Sequence, residues 1–191
     1  MKFKKAFLLL LFLPFMGSLP SFGQHLAISN NLFFDAAGIL SAGVEMPLSK
    51  KTSFEVYGGL RPWKRGETSV HKSWMVQPQF RIWPCQVMNG FYFGPYAHYS
   101  QFNFGNTDLC FGLLKGLKPN RYEGWLVGGG LGAGYEYALA KHWNIGAELG
   151  VGYTYIDYKK YNCEVCGNLK GKGHYDYVGI SKLGLSLIYV F

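Results

Sequence analysis

Two small groups of residues in this chain have types and spacing that permit chemistry. Cys163-Glu164-Val165-Cys166-Gly167 sets two thiols three positions apart with a glycine after them, a knuckle whose amides and sulfurs suit a tetrahedral metal. One knuckle is half a zinc site. His174 follows it, and Cys110 or His71 from preceding long connections are the other candidates for completing it, whereas Cys85 falls in a short turn expected at the opposite end. Oxidation competes with the metal, as a strained Cys163 to Cys166 disulfide or a bridge from one of them to Cys110. No βαβ pattern surrounds the pair, which counts against thioredoxin-like redox work. The second group is Tyr96, His98 and Ser100, alternate residues that share one face of an extended segment. A serine nucleophile needs a base within hydrogen-bond reach and a third group to orient that base. Glu123 or Glu136 on the next segment is the available carboxylate. Alternation turns His98 and Ser100 inward, so a buried, hydrogen-bonded pair with no catalytic duty is the simpler account.

Strands must position these groups. The chain alternates apolar and polar residues with period two, carries 26 glycines, and offers eight candidate strands: Leu26 to Phe34, Ile39 to Leu48, Phe54 to Trp63, Ser73 to Trp83, Gly90 to Phe104, Tyr122 to Ala138, Trp143 to Tyr158 and Tyr177 to Phe191. The connections at Ser49 to Ser53, Pro84 to Asn89 and Leu139 to His142 are short. Those at Lys64 to Lys72, Gly105 to Arg121 and Lys159 to Asp176 are long and polar or basic. Only the one around Asp35 to Gly38 is short where a long one is due. The expected fold is all-β, an eight-stranded antiparallel up-and-down transmembrane barrel with short turns at one end and long loops at the other.

The amino-terminus supplies the location. Lys2, Lys4 and Lys5 precede an apolar core from Ala6 to Met16, and Ser21-Phe22-Gly23 offers small residues to a peptidase. Residues 1–23 thus read as a cleaved signal peptide and 24–191 as one barrel domain. No apolar run reaches the ~20 residues of a membrane-spanning helix, so any membrane residence is as a barrel, in the outer membrane of a Gram-negative cell. Trp143, Ile145, Ala147, Leu149, Val151, Tyr153 and Tyr155 then face lipid, as do Trp74, Val76, Pro78, Phe80 and Ile82. Trp63, Trp74, Trp83, Trp125 and Trp143 lie at strand ends, the level at which amphipathic rings meet a membrane interface. A soluble lipocalin-like barrel with its apolar face inward is the competing fold. Against it stands the opposite face of the sixth strand, Gly124, Gly128, Gly130, Gly132 and Gly134, since a water-exposed exterior is rarely made of glycine.

An eight-stranded barrel is narrow enough for side chains to fill it. The same parity puts Glu45, Glu55, Arg61, Arg81, Glu136, Glu148 and Lys182 inside, with several Gln and Tyr, where charges must pair to offset their desolvation. They are expected to form a polar plug. At the loops, Lys64, Arg65, Lys72, Lys115, Lys118, Arg121, Lys159, Lys160, Lys170 and Lys172 make a basic collar. Without Lys2, Lys4 and Lys5 the chain keeps sixteen basic against eleven acidic residues, a net charge near +5. Such a collar suits the phosphates of outer-leaflet lipopolysaccharide or another acidic glycan, and nothing in an outer-surface location suggests nucleic acid. The stretch Leu109 to Leu117 is more apolar than solvent requires, as a lid or a partner-binding segment would be.

Some segments resemble known patterns. Lys182, Gly184, Leu185, Leu187, Tyr189 and the final Phe191 resemble the assembly signal of outer-membrane barrels. His98 two residues before Ser100 resembles the arrangement in lipid A deacylases, although Gln101 follows the serine and no carboxylate has the deacylase spacing. Phe33-Phe34-Asp35-Ala36, Gly43-Val44-Glu45, Trp74-Met75-Val76-Gln77-Pro78, Arg121-Tyr122-Glu123-Gly124-Trp125 and the run from Tyr153 to Gly167 resemble a domain-of-unknown-function family of small outer-membrane β-barrels from anaerobic Gram-negative bacteria. That resemblance implies a role in anchoring or assembling surface appendages, with fimbrial assembly proteins among the partners; the expected function is a non-enzymatic surface or scaffold protein, and the alternative is a lipid-modifying hydrolase using His98 and Ser100. It transfers no catalytic residue and no cofactor.

Overall fold

The computed structural model describes residues 26–61, 71–105, 121–161 and 169–191. Eight strands, β1 (Ala27–Asn31), β2 (Leu40–Pro47), β3 (Thr52–Arg61), β4 (His71–Ile82), β5 (Gly90–Gly105), β6 (Arg121–Ala140), β7 (Trp143–Tyr161) and β8 (Leu169–Val190), are joined by one short helix, α1 (Leu32–Ala36). Each strand pairs antiparallel with the next, and β1 pairs with β8, so the sheet closes into an up-and-down barrel.

Two boundaries differ from the sequence expectation for local reasons. The first strand stops at Asn31, not Phe34, because the Asn31 side chain accepts a hydrogen bond from the Phe33 amide (3.0 Å) and caps α1. Gly38, at φ +72°, then reverses the chain into β2. At the other extreme, most of the expected loop Lys159 to Asp176 is strand: β7 runs to Tyr161 and β8 starts at Leu169, with Lys159 opposite Lys172 and Asp157 opposite His174. Backbone pairing across this hairpin overrides the polar, glycine-spaced composition that reads as loop.

The polarity of the molecule is reversed relative to a water-soluble fold. Buried residues include Glu45, Glu55, Gln77, Gln79, Arg81, His98, Glu136, Asn144 and Glu148, whereas Leu131 is 67% exposed and Val56, Leu149, Val151, Ile180 and Leu183 also face outward. Because side chains alternate, one register decides this for a whole strand: Leu131 lies beside Pro95 and Val151, all three on the outside. The inward row of small residues is functional packing. A Cβ on Gly150 would stand 2.7 Å from Tyr96 Cε1 and 2.9 Å from Lys182 Cβ, so the glycine makes room for the side chains that fill the lumen. Gly150→Ala is expected to cost about 1–3 kcal/mol of stability by overpacking, read as a lowered urea midpoint of unfolding.

Aromatic rings girdle the outside at two levels. Near the long-connection end, Trp74, Tyr99, Trp125, Tyr155 and His174 form an unbroken chain of ring contacts across five strands, with centroids 5.4, 6.4, 5.7 and 5.9 Å apart. Near the short-turn end, Trp143, Tyr189 and Phe191 make a shorter run on β7 and the end of β8, at 5.1 and 5.0 Å. From Trp143 to Tyr155 is twelve residues along β7. At ~3.3 Å per residue and the usual tilt of about 40° the belts stand roughly 30 Å apart. Between them the outward positions of β7 are Ile145, Ala147, Leu149, Val151 and Tyr153, without a charge. Trp83, expected at an interface, is instead fully buried: it shares the inward parity of Arg81, donates from Nε1 to Ser53 Oγ (2.8 Å) and packs on Tyr92. Trp63 lies outside the described residues.

The short-turn end is closed. The connection before β5 folds under the lumen, where Met88 packs with Ala27 and Ile188 in a small apolar cluster and its carbonyl accepts from Asn144 Nδ2 (2.8 Å).

Candidate functional site

Inside the barrel, the inward parity of six strands converges on one guanidinium. Arg81 of β4 pairs through Nη1 with Glu45 (2.5 Å) and Glu136 (3.2 Å), and through Nη2 with Glu55 (2.5 Å) and Glu148 (3.2 Å). Its Nε donates to Gln79 Oε1 (3.0 Å). An arginine has five N–H donors, and all five are used here. Lys182 reaches the same amide oxygen at 2.5 Å, Glu148 at 3.0 Å and Glu55 at 3.8 Å. Gln79 returns its Nε2 to Glu148 Oε1 (2.5 Å), Ser53 donates to Glu45 (2.5 Å), Ser29 to Glu55 (3.2 Å) and Tyr92 to Glu148 (3.1 Å). The Arg81 guanidinium also lies over the Tyr92 ring, 4.5 Å from its centroid. Fixed donors on nearly every carboxylate oxygen are what a buried ionic group needs to offset desolvation.

Lys182 arrives through a defect in the ladder. The β7–β8 register shifts between Gly150 and Val151, whose partners are Lys182 and Ile180. The extra residue, Ser181, is a β-bulge, and it lets two consecutive side chains point inward. Ser181 Oγ lies 2.5 Å from the Tyr96 hydroxyl while Lys182 joins the cluster. Six of the seven residues expected in the lumen thus meet. Arg61 does not: it pairs with Ser73 near the far end of β3. Gln79, Tyr92, Ser29 and Ser53 are equal members that charge alone does not single out, although Gln77, Gln79 and Arg81 alternating along β4 carry the signal.

Above this plug the lumen is not filled. A cavity of about 460 Å³ extends toward the long-connection end, with Glu55, Arg81, Glu148 and Lys182 at its floor and Met75, Leu126 and Ile156 higher on its walls. His98 and Ser100 both line it, yet they do not act on each other. His98 Nε2 lies 3.0 Å from Thr154 Oγ1, and Ser100 Oγ donates to the Trp74 carbonyl (2.8 Å). Glu136 pairs with Gly90, eight positions down the ladder from His98 and Gly128. Glu123 is engaged by Arg121 at 2.9 Å. No hydrogen bond among the described residues joins His98 to a carboxylate.

The metal and disulfide candidates are placed only in part. Cys110, Cys163 and Cys166 lie outside the described residues. His174 is on the outer face of β8, stacked on Tyr155, and Cys85 is an exposed free thiol at the short-turn end. Of the collar, Lys64, Arg65, Lys115 and Lys118 also lie outside. Lys72, Arg121, Lys159 and Lys172 stand on or beside the outer rim, Arg121 accompanied by Asn103 (2.9 Å) and Glu123. Lys160 sits over the Tyr122 ring, 5.6 Å from its centroid, and Lys170 is exposed at the start of β8. A cleft of about 610 Å³ at this level is lined by Lys72, Trp74, Trp125, Asp157 and Lys159, among others.

The profile of the family described as "Protein of unknown function (DUF3575)" matches residues 7–191. The chain belongs to that family. The match takes in every strand, so the closed sheet and the Arg81 cluster lie within the family domain. No curated protein matches the sequence.

Proposed function

We propose that this member of the family is a non-enzymatic outer-membrane barrel, a surface or scaffold protein whose rim binds the anionic head groups of outer-leaflet lipopolysaccharide. The observation that carries the reading is the reversed polarity bounded by two aromatic belts. An uncharged outer band roughly 30 Å tall, edged by Trp and Tyr, matches the hydrocarbon thickness a tilted strand must cross. In water the same surface would be a large uncompensated apolar exposure.

The rim supports the binding half of the proposal. Lys159 and Lys172 are direct cross-strand partners, and like charges so placed repel. A phosphate between them removes that repulsion, and the cleft that Lys159 shares with Lys72 is also lined by Trp74 and Trp125, whose rings suit sugars. At about 1 kcal/mol for each lysine near an anionic surface, the triple change Lys72→Gln, Lys159→Gln and Lys172→Gln is expected to weaken binding of purified lipopolysaccharide about 100-fold. Titration calorimetry on the reconstituted barrel measures this, and unchanged affinity would remove the collar from the function. Catalysis through His98 and Ser100 gains no support from the geometry, since the two do not hydrogen-bond each other and no carboxylate among the described residues is bonded to His98.

A further inference from the structure

The barrel wall is not equally tall all the way round. β8 pairs with β1 only from Ser186 to Val190. Above that, among the described residues, 169–185 have no strand on their β1 side. α1 packs there instead, and Asn31 Nδ2 reaches the Leu183 carbonyl (3.3 Å). The consequence shows in side chains. Tyr175 is the partner of Ile156 and shares its inward face, yet it is 58% exposed. The cavity above the plug also takes in Phe34 of α1 together with Ile180 and Leu183, two residues that point out of the barrel. The cavity therefore leaves the lumen sideways, between α1 and β8, on the apolar outer band.

We infer that this cavity is a binding site entered laterally from the bilayer, for a single-chain amphiphile whose head donates hydrogen bonds and carries no net negative charge. The inference rests on the membrane reading above. Met75, Leu126 and Ile156 suit a hydrocarbon chain, and the floor selects the head. Every donor of Arg81 is already used, and Lys182 is engaged by Gln79 Oε1 at 2.5 Å and Glu148 at 3.0 Å with Glu55 at 3.8 Å, so both cations already have carboxylates beside them. Four carboxyl groups meet two cations in the cluster, and two of the four, Glu55 and Glu148, line the cavity beside Arg81 and Lys182. An ammonium or hydroxyl head completes this set, and a carboxylate or phosphate head adds to its repulsion. His98 is the second, independent pointer. It is only 7% exposed, it lines the cavity, and its Nδ1 has no hydrogen-bond partner, a costly condition for a buried polar atom that a bound head group relieves.

The test uses the mature protein in phosphatidylcholine nanodiscs, titrated with dodecylamine and separately with sodium dodecanoate, bound probe being counted by native mass spectrometry. One dodecylamine per barrel is expected, with dodecanoate at least ten-fold weaker. Gly184→Leu narrows the mouth; a Cβ there meets nothing closer than Asn31 Nδ2 at 3.4 Å, and insertion of the variant into nanodiscs checks that it folds. It is expected to lower dodecylamine occupancy at least ten-fold, and Met75→Phe, filling the cavity from the opposite wall, should do the same. Equal binding of the two probes, or full occupancy in both filled variants, would overturn the site. Failure of the wild-type protein to insert into nanodiscs would overturn the membrane reading and this one with it, whereas insertion without binding overturns this one alone.

Discussion

Arg81→Met is expected to be the most damaging single substitution in the protein. It leaves Glu45, Glu55, Glu136 and Glu148 facing one another across a narrow lumen with Lys182 as the remaining cation of the cluster. Removing one partner of a buried ion pair costs about 3–5 kcal/mol, and here one residue is partner to four. The expected result is a barrel that fails to close, or whose urea midpoint in lipid vesicles falls by at least that equivalent. Arg81→Lys keeps the charge but not the planar fork that reaches two carboxylates on each side, and should fall between. Adding Glu45→Gln and Glu136→Gln to Arg81→Met should recover a large part of the loss, because the damage lies in uncompensated charge. A triple variant no better than Arg81→Met alone would mean that Arg81 acts by filling space.

The second large effect lies on the other face of the same sheet. Leu131 is more exposed than nearly any other apolar side chain described, between Pro95 and Val151. In a soluble protein, Leu131→Lys would be neutral or would improve solubility. In a bilayer it places a cation near the midplane, at an expected cost of about 2–4 kcal/mol. Equilibrium folding into vesicles distinguishes the two. A Leu131→Lys protein that folds as well as wild type, with or without lipid, would refute membrane residence. Tyr153→Lys, nearer the upper belt, should cost less, since the penalty falls with distance from the midplane.

Much of this architecture was legible because strand parity is unforgiving. Val151 and Leu149 against Gly150 and Glu148, or Phe80 and Pro78 against Arg81 and Gln79, assign two faces without reference to any contact, and the charged set so identified meets in space. What was not legible has particular causes. Residue type alone groups Trp83 with the interfacial tryptophans, whereas its odd-numbered place beside Arg81 sends it inward. The bulge at Ser181 adds one residue to a ladder, a change invisible to periodicity, and it sets both the reach of Lys182 and the partner of Tyr96. The extension of β7 and β8 through a lysine- and glycine-rich stretch is fixed by backbone pairing between segments, which composition does not report. The cavity above the plug escaped because strand number constrains the width of a barrel and says little about how far up its lumen side chains reach. The cysteine knuckle has residue types as its only support, and those residues lie outside the described segments.

The short seam between β1 and β8 also bears on the order of assembly. Seven of the eight interfaces join neighbours in sequence and can zip up as hairpins, the last of them running from Trp143–Tyr189 to Tyr161–Leu169. The eighth brings Ala27 to Val190 and holds them through only five residue pairs. The seam is held by those few pairs and the apolar contact of Ala27, Met88 and Ile188, and it joins the residues farthest apart in the sequence. Closure is thus the slow, high-contact-order event. Until it happens residues 186–190 extend the open edge of 169–185 into one continuous surface to which a folding catalyst, or a mistaken neighbour, has access.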